Sequence, residues 1–445
     1  MYKFPIFSLS LVGLVTACTP IASTTSNSLS VNVPSYLPSY LPEPPIGFEW
    51  RKVEVMSDEF NGTELDSSKW HNQIKTWKGR RPARFLPDNV AVNNGVLQLK
   101  TSTYAKDADG YTMGGAAVAG IHQATYGYFE SRIKASKTKM STTFWLHSDK
   151  AENPSDCDTR HSIEIDILEA IGGWPNEWWA NRMHSNTHYK PTSMQNGKCR
   201  GDKYVSQGAK HNAGVKLNQD YHVYSAWWVT PNQVHFYFDG QKMGTVDLNH
   251  EIDSVPFNGP MSLRMVVETY DWQPKLIKKI AGEHQPYPTA IELDDPSINT
   301  AYYDYVRSYQ LVESKANLVD NAGFEQGQLG WAMSGQAEVV HEHGASYTQA
   351  LGAKLSKGKI KQQLSTKLNS PYQVNLYAKS AAQQGAVIKV IDDMGKTLVQ
   401  RQVHSEQFAL YTLDFNTQQS NQVTLLIEGS DGQVTYLDNI SVSAI

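Results

Sequence analysis

The chain predicts an all-β protein, and three features of its sequence carry that expectation. Short runs of alternating or β-branched residues recur, such as Val90 to Lys100, Gly127 to Ala135, His222 to Val229 and Val234 to Phe238. Turn signals punctuate them, notably Asn93-Asn94-Gly95 and Asp239-Gly240, whose residue types tolerate the positive φ that tight hairpins need. Long helical periodicity is nearly absent. From Phe48 to Leu311 this is the pattern of a two-sheet antiparallel sandwich. Further runs at Gln373 to Ala378, Val387 to Ile391 and Gln422 to Ile427 predict a second, smaller β-sandwich.

At 445 residues, 40% apolar and 19% charged, the chain is globular in composition and long enough for more than one core. A net charge of −4 gives no sign of a nucleic-acid partner. The 11 Trp and 23 Tyr are suited both to filling cores and to stacking on sugar rings.

In chain order, residues 1–18 carry Lys3 and then an apolar stretch, Phe4 to Val15. The stretch is too short to span a bilayer as a permanent helix and reads as an export signal. It ends in Val15-Thr16-Ala17-Cys18, which resembles a bacterial lipobox: small residues admit the signal peptidase and the Cys18 thiol takes the lipid. The expected location is the outer membrane, as a lipoprotein, or outside the cell if Cys18 is not lipidated. Residues 19–46 are Ser/Thr-rich and then Pro-rich, with Ser35-Tyr36-Leu37-Pro38 repeated as Ser39-Tyr40-Leu41-Pro42. Such a segment is expected to be an extended tether. With Cys18 modified, Cys157 and Cys199 remain, either as a disulfide permitted by an exporting compartment or as two free thiols.

The chemistry concentrates in His161-Ser162-Ile163-Glu164-Ile165-Asp166-Ile167-Leu168-Glu169, where three carboxylates interrupt a strand-forming run. In a regular strand Glu164 and Asp166 share a face and Glu169 points the other way. A β-bulge at Ile167-Leu168 would add one residue and bring Glu169 to the same face. Two carboxylates flanking a glycosidic bond can divide the work: one attacks the anomeric carbon while the other, kept protonated, protonates the leaving oxygen. Asp166 between them fits an orienting role.

Glu-Ile-Asp-Ile-Leu-Glu resembles the bulged catalytic strand of glycoside hydrolase family 16. Ser57-Asp58-Glu59-Phe60-Asn61-Gly62 with Leu65-Asp66 and Lys69-Trp70, the Tyr126 to Lys134 strand, and Tyr302 to Tyr309 are similar to further segments of that family, in its order, across residues 47–313. The resemblance implies a jelly roll whose concave sheet carries the cleft, with Glu164 as nucleophile, Glu169 as acid/base and Asp166 as the residue that orients Glu164. Thr76 to Pro82, Met183 to Tyr189 and Val267 to Trp272 look like segments of the β-agarases, with β-porphyranases next closest.

From the same resemblance, Trp77, Arg81, Trp145, His188, Glu268 and Asp271 are expected to bind substrate. For Trp145 core packing competes with a subsite floor, and for the Arg80, Arg81 and Arg84 loop a solvated charge run competes with contacts to sugar hydroxyls or sulfates. No spacing of His and Cys suggests a catalytic metal, and this chemistry needs no cofactor. A structural calcium site is implied on the convex side, with Asp304 as acidic ligand and oxygens of the Asp58 to Asn61 turn or Gly95 completing it. Residues 314–445, opening with Asn317 to Gly327 and closing with Tyr436 to Val442, resemble a carbohydrate-binding module in which Glu325 and Asp438 hold calcium; a purely structural β-domain is the alternative. The expected activity is that of a retaining endo-hydrolase of β-1,4 bonds in agarose, with a porphyranase or carrageenase, or a non-catalytic galactan-binding lipoprotein, as alternatives.

Because one thiol carries the whole attachment, Cys18→Ser is expected to release the protein from membranes into the soluble fraction. Continued co-sedimentation of the variant with membranes would contradict the lipobox assignment.

Overall fold

Hairpin chemistry fixes the local strand pairings where it was expected. Asn94 and Gly95 take φ of +53° and +76°, Asp239 and Gly240 take +46° and +78°, and each pair joins neighbouring antiparallel strands. The computed structural model describes residues 39–148, 162–201, 204–282, 285–381 and 384–445, apart from the side chain of Cys199. Cys18, Cys157, the Cys199 side chain and His161 therefore lie outside the described residues. Among those described, no helix is long and apolar enough to cross a membrane.

Two sheets stack face to face. The first runs, in spatial order, Gln241–Asp247, Gln233–Phe238, His222–Thr230, Gly127–Lys134, Thr300–Glu313, Val96–Lys100 and Val90–Asn93, with Phe48–Lys52 also on Thr300–Glu313. The second runs Val205–Asn212, Arg182–Lys190, Ser162–Ala170, Thr142–His147, Met261–Val267, Met113–Ala124 and Trp70–His71. Phe129, Tyr224, Trp228 and Phe236 from the first sheet meet Phe144, Leu146, Ile163, Ile165 and Met265 from the second in one core. This is the aligned sandwich that alternating strands produce.

A third sheet follows, in the order Thr397–Gln402, Val387–Asp392, Gln422–Glu428, Gly352–Ser365, Thr435–Ala444, Pro371–Ser380 and Ala409–Asn416, with Ala332–Val340 on Gly352–Ser365. It curls on itself, and Arg401 Nη1 donates to the Thr412 carbonyl at 2.9 Å across its two end strands. Its core takes in Phe48 and Leu311 from the first sheet. A backbone bond from Gln349 N to the Val229 carbonyl adds to that seam. Residues 40–445 accordingly form one compact unit.

One expectation is corrected here. The end of the 19–46 segment does not hang free, because it supplies hydrogen bonds to buried polar groups. Tyr40 N donates to Glu130 Oε2 at 3.2 Å, Tyr128 Oη donates to the Tyr40 carbonyl at 2.9 Å, and Trp50 Nε1 donates to the Pro42 carbonyl at 2.7 Å. The fully buried Glu130 lies 3.8 Å from Arg307, which also grips Glu59 with two bonds of 2.9 and 2.8 Å. Removing one member of a buried charge cluster strands the others, so Arg307→Met is expected to cost about 3–5 kcal/mol in chemical denaturation.

Candidate active site

The expected bulge is present. Ser162–Ala170 lies between Thr142–His147 and Arg182–Lys190, and its register slips by one against both. On one side Glu164 faces His188 and Glu169 faces His184; on the other, Glu164 faces His147 and Glu169 faces Thr143. Five steps along this strand thus match four along each neighbour, which restores Glu169 to the face of Glu164. Ile167 and Leu168 are consecutive, yet both are fully buried in the core between the sheets. Glu164, Asp166 and Glu169 all line one cleft of about 870 Å³ on the opposite face.

The acids are held by named partners. Glu164 and Asp166 share a hydrogen bond. His188 Nε2 lies 3.1 Å from Asp166 Oδ2 and 3.9 Å from Glu164 Oε1, while its Nδ1 is 2.6 Å from Ser206 Oγ. His147 Nε2 approaches Glu164 Oε2 at 3.7 Å. Tyr270 Oη donates to Glu169 Oε1 at 2.8 Å. Burial raises the proton affinity of all three acids. The neighbouring Asp166 raises Glu164 further and Glu169 raises Asp166 further, whereas Tyr270 opposes the rise at Glu169. Like charges this close oppose simultaneous ionisation of Glu164 and Asp166.

The remaining expected binding residues divide. Trp77, Trp145, His188 and Glu268 line the cleft. Trp145 packs in a cluster with Ile74, Phe85 and Val266 and also lines the cleft. His188 is placed against the carboxylates. Arg81 is a correction: it is exposed, donates through Nε to the Asp109 carbonyl and lies over the Tyr111 ring. Arg84 pairs with Asp107 at 2.9 Å, so of this loop's three arginines only Arg80 enters the cleft. Asp271 is also exposed and is not among the lining residues, although its charge reaches Arg80.

Arg80 stands 3.7 Å from Glu268 Oε2 and 5.1 Å above the Tyr270 ring. Glu268 is 5% exposed, and burial outweighs the attraction of Arg80, pushing its carboxyl up to about 8. Arg80 stays charged, its affinity for the proton raised by Glu268 against the opposing effect of burial.

The acids expected at the two calcium sites all have protein partners. Asp304 accepts from Arg132 at 2.8 Å, and Asp58 accepts from Phe60 N and Trp70 Nε1. Glu325 Oε1 accepts from Ala350 N and Leu351 N and Asp438 Oδ2 from Tyr347 N and Thr348 N; burial raises both carboxyls, and the charge of Glu325 adds to the rise at Asp438. Among the described residues, only Glu164, Asp166 and His188 form a set of three acid, His or Cys side chains with donor atoms within 4.8 Å of one another.

The model of the β-porphyranase A–D domain of glycoside hydrolase family 16 matches residues 50–311. The chain belongs to glycoside hydrolase family 16. It is 37% identical over 300 residues to β-porphyranase B of Phocaeicola plebeius, covering 61% of this chain and 88% of that one. With β-porphyranase E of Zobellia galactanivorans it shares 38% over 275 residues, covering 60% and 90%. β-Agarase AgaA of Microbulbifer thermotolerans is 27% identical over 301 residues, covering 62% of each. The crystal structure of a β-porphyranase from the gut bacterium Bacteroides plebeius superposes with a TM-score of 0.53 at 34% identity, covering 62% of this chain and 97% of that one.

This family 16 glycoside hydrolase also brings to its cleft residues to which sequence reasoning gave no binding role: His147, Arg264, Tyr270, Trp179 and Trp272. Arg264 left a signal, being the lone charge in the otherwise apolar or small Met261–Val267 strand, where it pairs with Trp145. The others gave none that separates cleft from core.

Glu268 generates a prediction about stability. Its folded-state proton affinity exceeds that of an ordinary glutamate, so its contribution is complete at low pH and is lost as pH rises towards about 8. Glu268→Gln is expected to flatten that decline, so that its melting temperature falls less than that of the parent between about pH 5 and 8. Parallel declines would show that Glu268 does not titrate there.

Proposed function

We propose that this family 16 enzyme is a retaining, endo-acting hydrolase of β-1,4-galactosidic bonds in a sulfated, porphyran-type galactan. The bulge at Ile167-Leu168 carries the mechanism, because it sets Glu164 and Glu169 on one face of one strand. In the first step Glu169 gives its proton to the glycosidic oxygen, the C–O bond breaks, and a Glu164 oxygen bonds to the anomeric carbon. In the second, Glu169 takes a proton from water, whose oxygen displaces Glu164 from that carbon. Glu164 reacts as the anion, its orientation set by the hydrogen bond it shares with Asp166, and His188 Nε2, 3.1 Å from Asp166 Oδ2, orients Asp166.

The substrate assignment rests on charge and on likeness. Burial raises the Glu268 carboxyl to about 8, which weakens its offset of the Arg80 charge near neutral pH and leaves a cation in the cleft beside Trp77, suited to a sulfated sugar stacked on an indole. Agarose comes first on the sequence segments, but the identity to porphyranases exceeds that to the agarase, and Arg80 favours the sulfated polymer. We also propose a division near residue 314, with residues 314–445 raising local substrate concentration, Glu325 and Asp438 holding a structural calcium, and Cys18 anchoring the chain.

Reducing-end release on porphyran, agarose, κ-carrageenan and laminarin, with product sizing, tests the assignment. Porphyran is expected to be cut fastest, giving a spread of oligosaccharides; faster agarose hydrolysis would restore the agarase reading, and activity on laminarin alone would remove galactan altogether. Glu164→Gln is expected to lower activity to background. Glu169→Ala should keep cleaving substrates with good leaving groups and form a β-glycosyl azide with azide. Azide rescue at Glu164 giving an α-product, and none at Glu169, would exchange the two roles.

A further inference from the structure

The reading of Glu169 as acid/base leaves open what lets one buried carboxyl release a proton in one step and recover it in the next. We infer that Tyr270 is the positioning residue for Glu169: its hydroxyl fixes the carboxyl plane and steadies the anion between the two steps. Tyr270 Oη donates to Glu169 Oε1 at 2.8 Å, which leaves Oε2 to carry the mobile proton. The phenol is well placed to act as a fixed donor. It is 5% exposed, its ring stacks on Trp272 at 4.9 Å and 14°, and the Arg80 guanidinium covers it at 5.1 Å. The Tyr270 backbone is pinned as well, with its N–H on Gln273 Oε1 and its carbonyl accepting from Tyr287 Oη at 3.2 Å.

Other titratable groups surround Glu169. Asp166 and Glu164 lie on its own strand and Glu268 on the segment that carries Tyr270; the charge of Glu169 raises the proton affinity of each of them, and burial is the largest cause of the rise at Glu169 itself. Arg80 and His188 oppose that rise. His184, opposite Glu169 in the register, is kept neutral near neutral pH by burial, its affinity lowered to about 4. Tyr270 donates a hydrogen bond to Glu169, and that bond opposes the rise from burial, so an ionised Glu169 is stabilised by it.

Tyr270→Phe keeps the stacked ring and removes only the donor. The alkaline limb of the kcat/KM profile on the polymer is expected to move up by about one pH unit, with kcat at neutral pH about tenfold lower and KM within about twofold. Adding Tyr270→Phe to Glu169→Ala should cost nothing further, because Tyr270 acts through Glu169. An unmoved limb, or losses that multiply in the double variant, overturns the inference. An alkaline limb that persists unchanged in Glu169→Ala alone overturns instead the assignment of Glu169 on which it rests.

Discussion

One surplus residue in one strand is the constraint on which the site depends. Without the slip between Asp166 and Glu169, Glu169 would project into the core beside Ile165, where a carboxyl has no partner, and Leu168 would face the cleft. The bulge places both apolar residues inside and all three acids outside. Burial of Ile167 and Leu168 against the opposing sheet holds the irregularity in place, so the core itself sets the catalytic spacing.

That arrangement concentrates carboxyls where water is scarce. Glu164, Asp166, Glu169 and Glu268 all have raised proton affinities, and burial is the largest cause for each. What differs is the partner. Asp166 is hydrogen-bonded to Glu164, Tyr270 donates to Glu169, and Arg80 stands beside Glu268. Chemically similar groups thereby acquire different tasks, since each neighbour favours a different protonation state. Arg80 links these groups by facing Glu268 while its guanidinium lies over the ring whose hydroxyl holds Glu169.

The first sheet is built on a different economy of charge. There Arg307 holds Glu59 by two hydrogen bonds and stands 3.8 Å from the buried Glu130, which accepts from Tyr40 N. Phe48 and Leu311, from strands of that same sheet, enter the core of the third sheet. The two-sheet sandwich and the curled third sheet are thus joined by apolar contact as well as by chain connection, and the end of the proline-rich segment becomes part of the structure it was expected only to tether.

The sequence by itself determined the all-β class, the hairpins at Asn94-Gly95 and Asp239-Gly240, and the bulged strand with its three acids. Each of these is local: turn residues report their own φ, and a two-residue period broken by one extra position is readable wherever acids alternate with isoleucines. Only the tertiary structure decided which arginine of Arg80, Arg81 and Arg84 faces the cleft, because that depends on Asp107, Asp109 and Tyr111 capturing the other two. It likewise decided that Asp304 is taken by Arg132, and that Tyr270, 101 residues beyond Glu169 in the chain, supplies its hydrogen bond. A partner so remote in sequence leaves no periodic trace, since side-chain pairing between distant strands is set by how the sheets stack and not by the spacing within either.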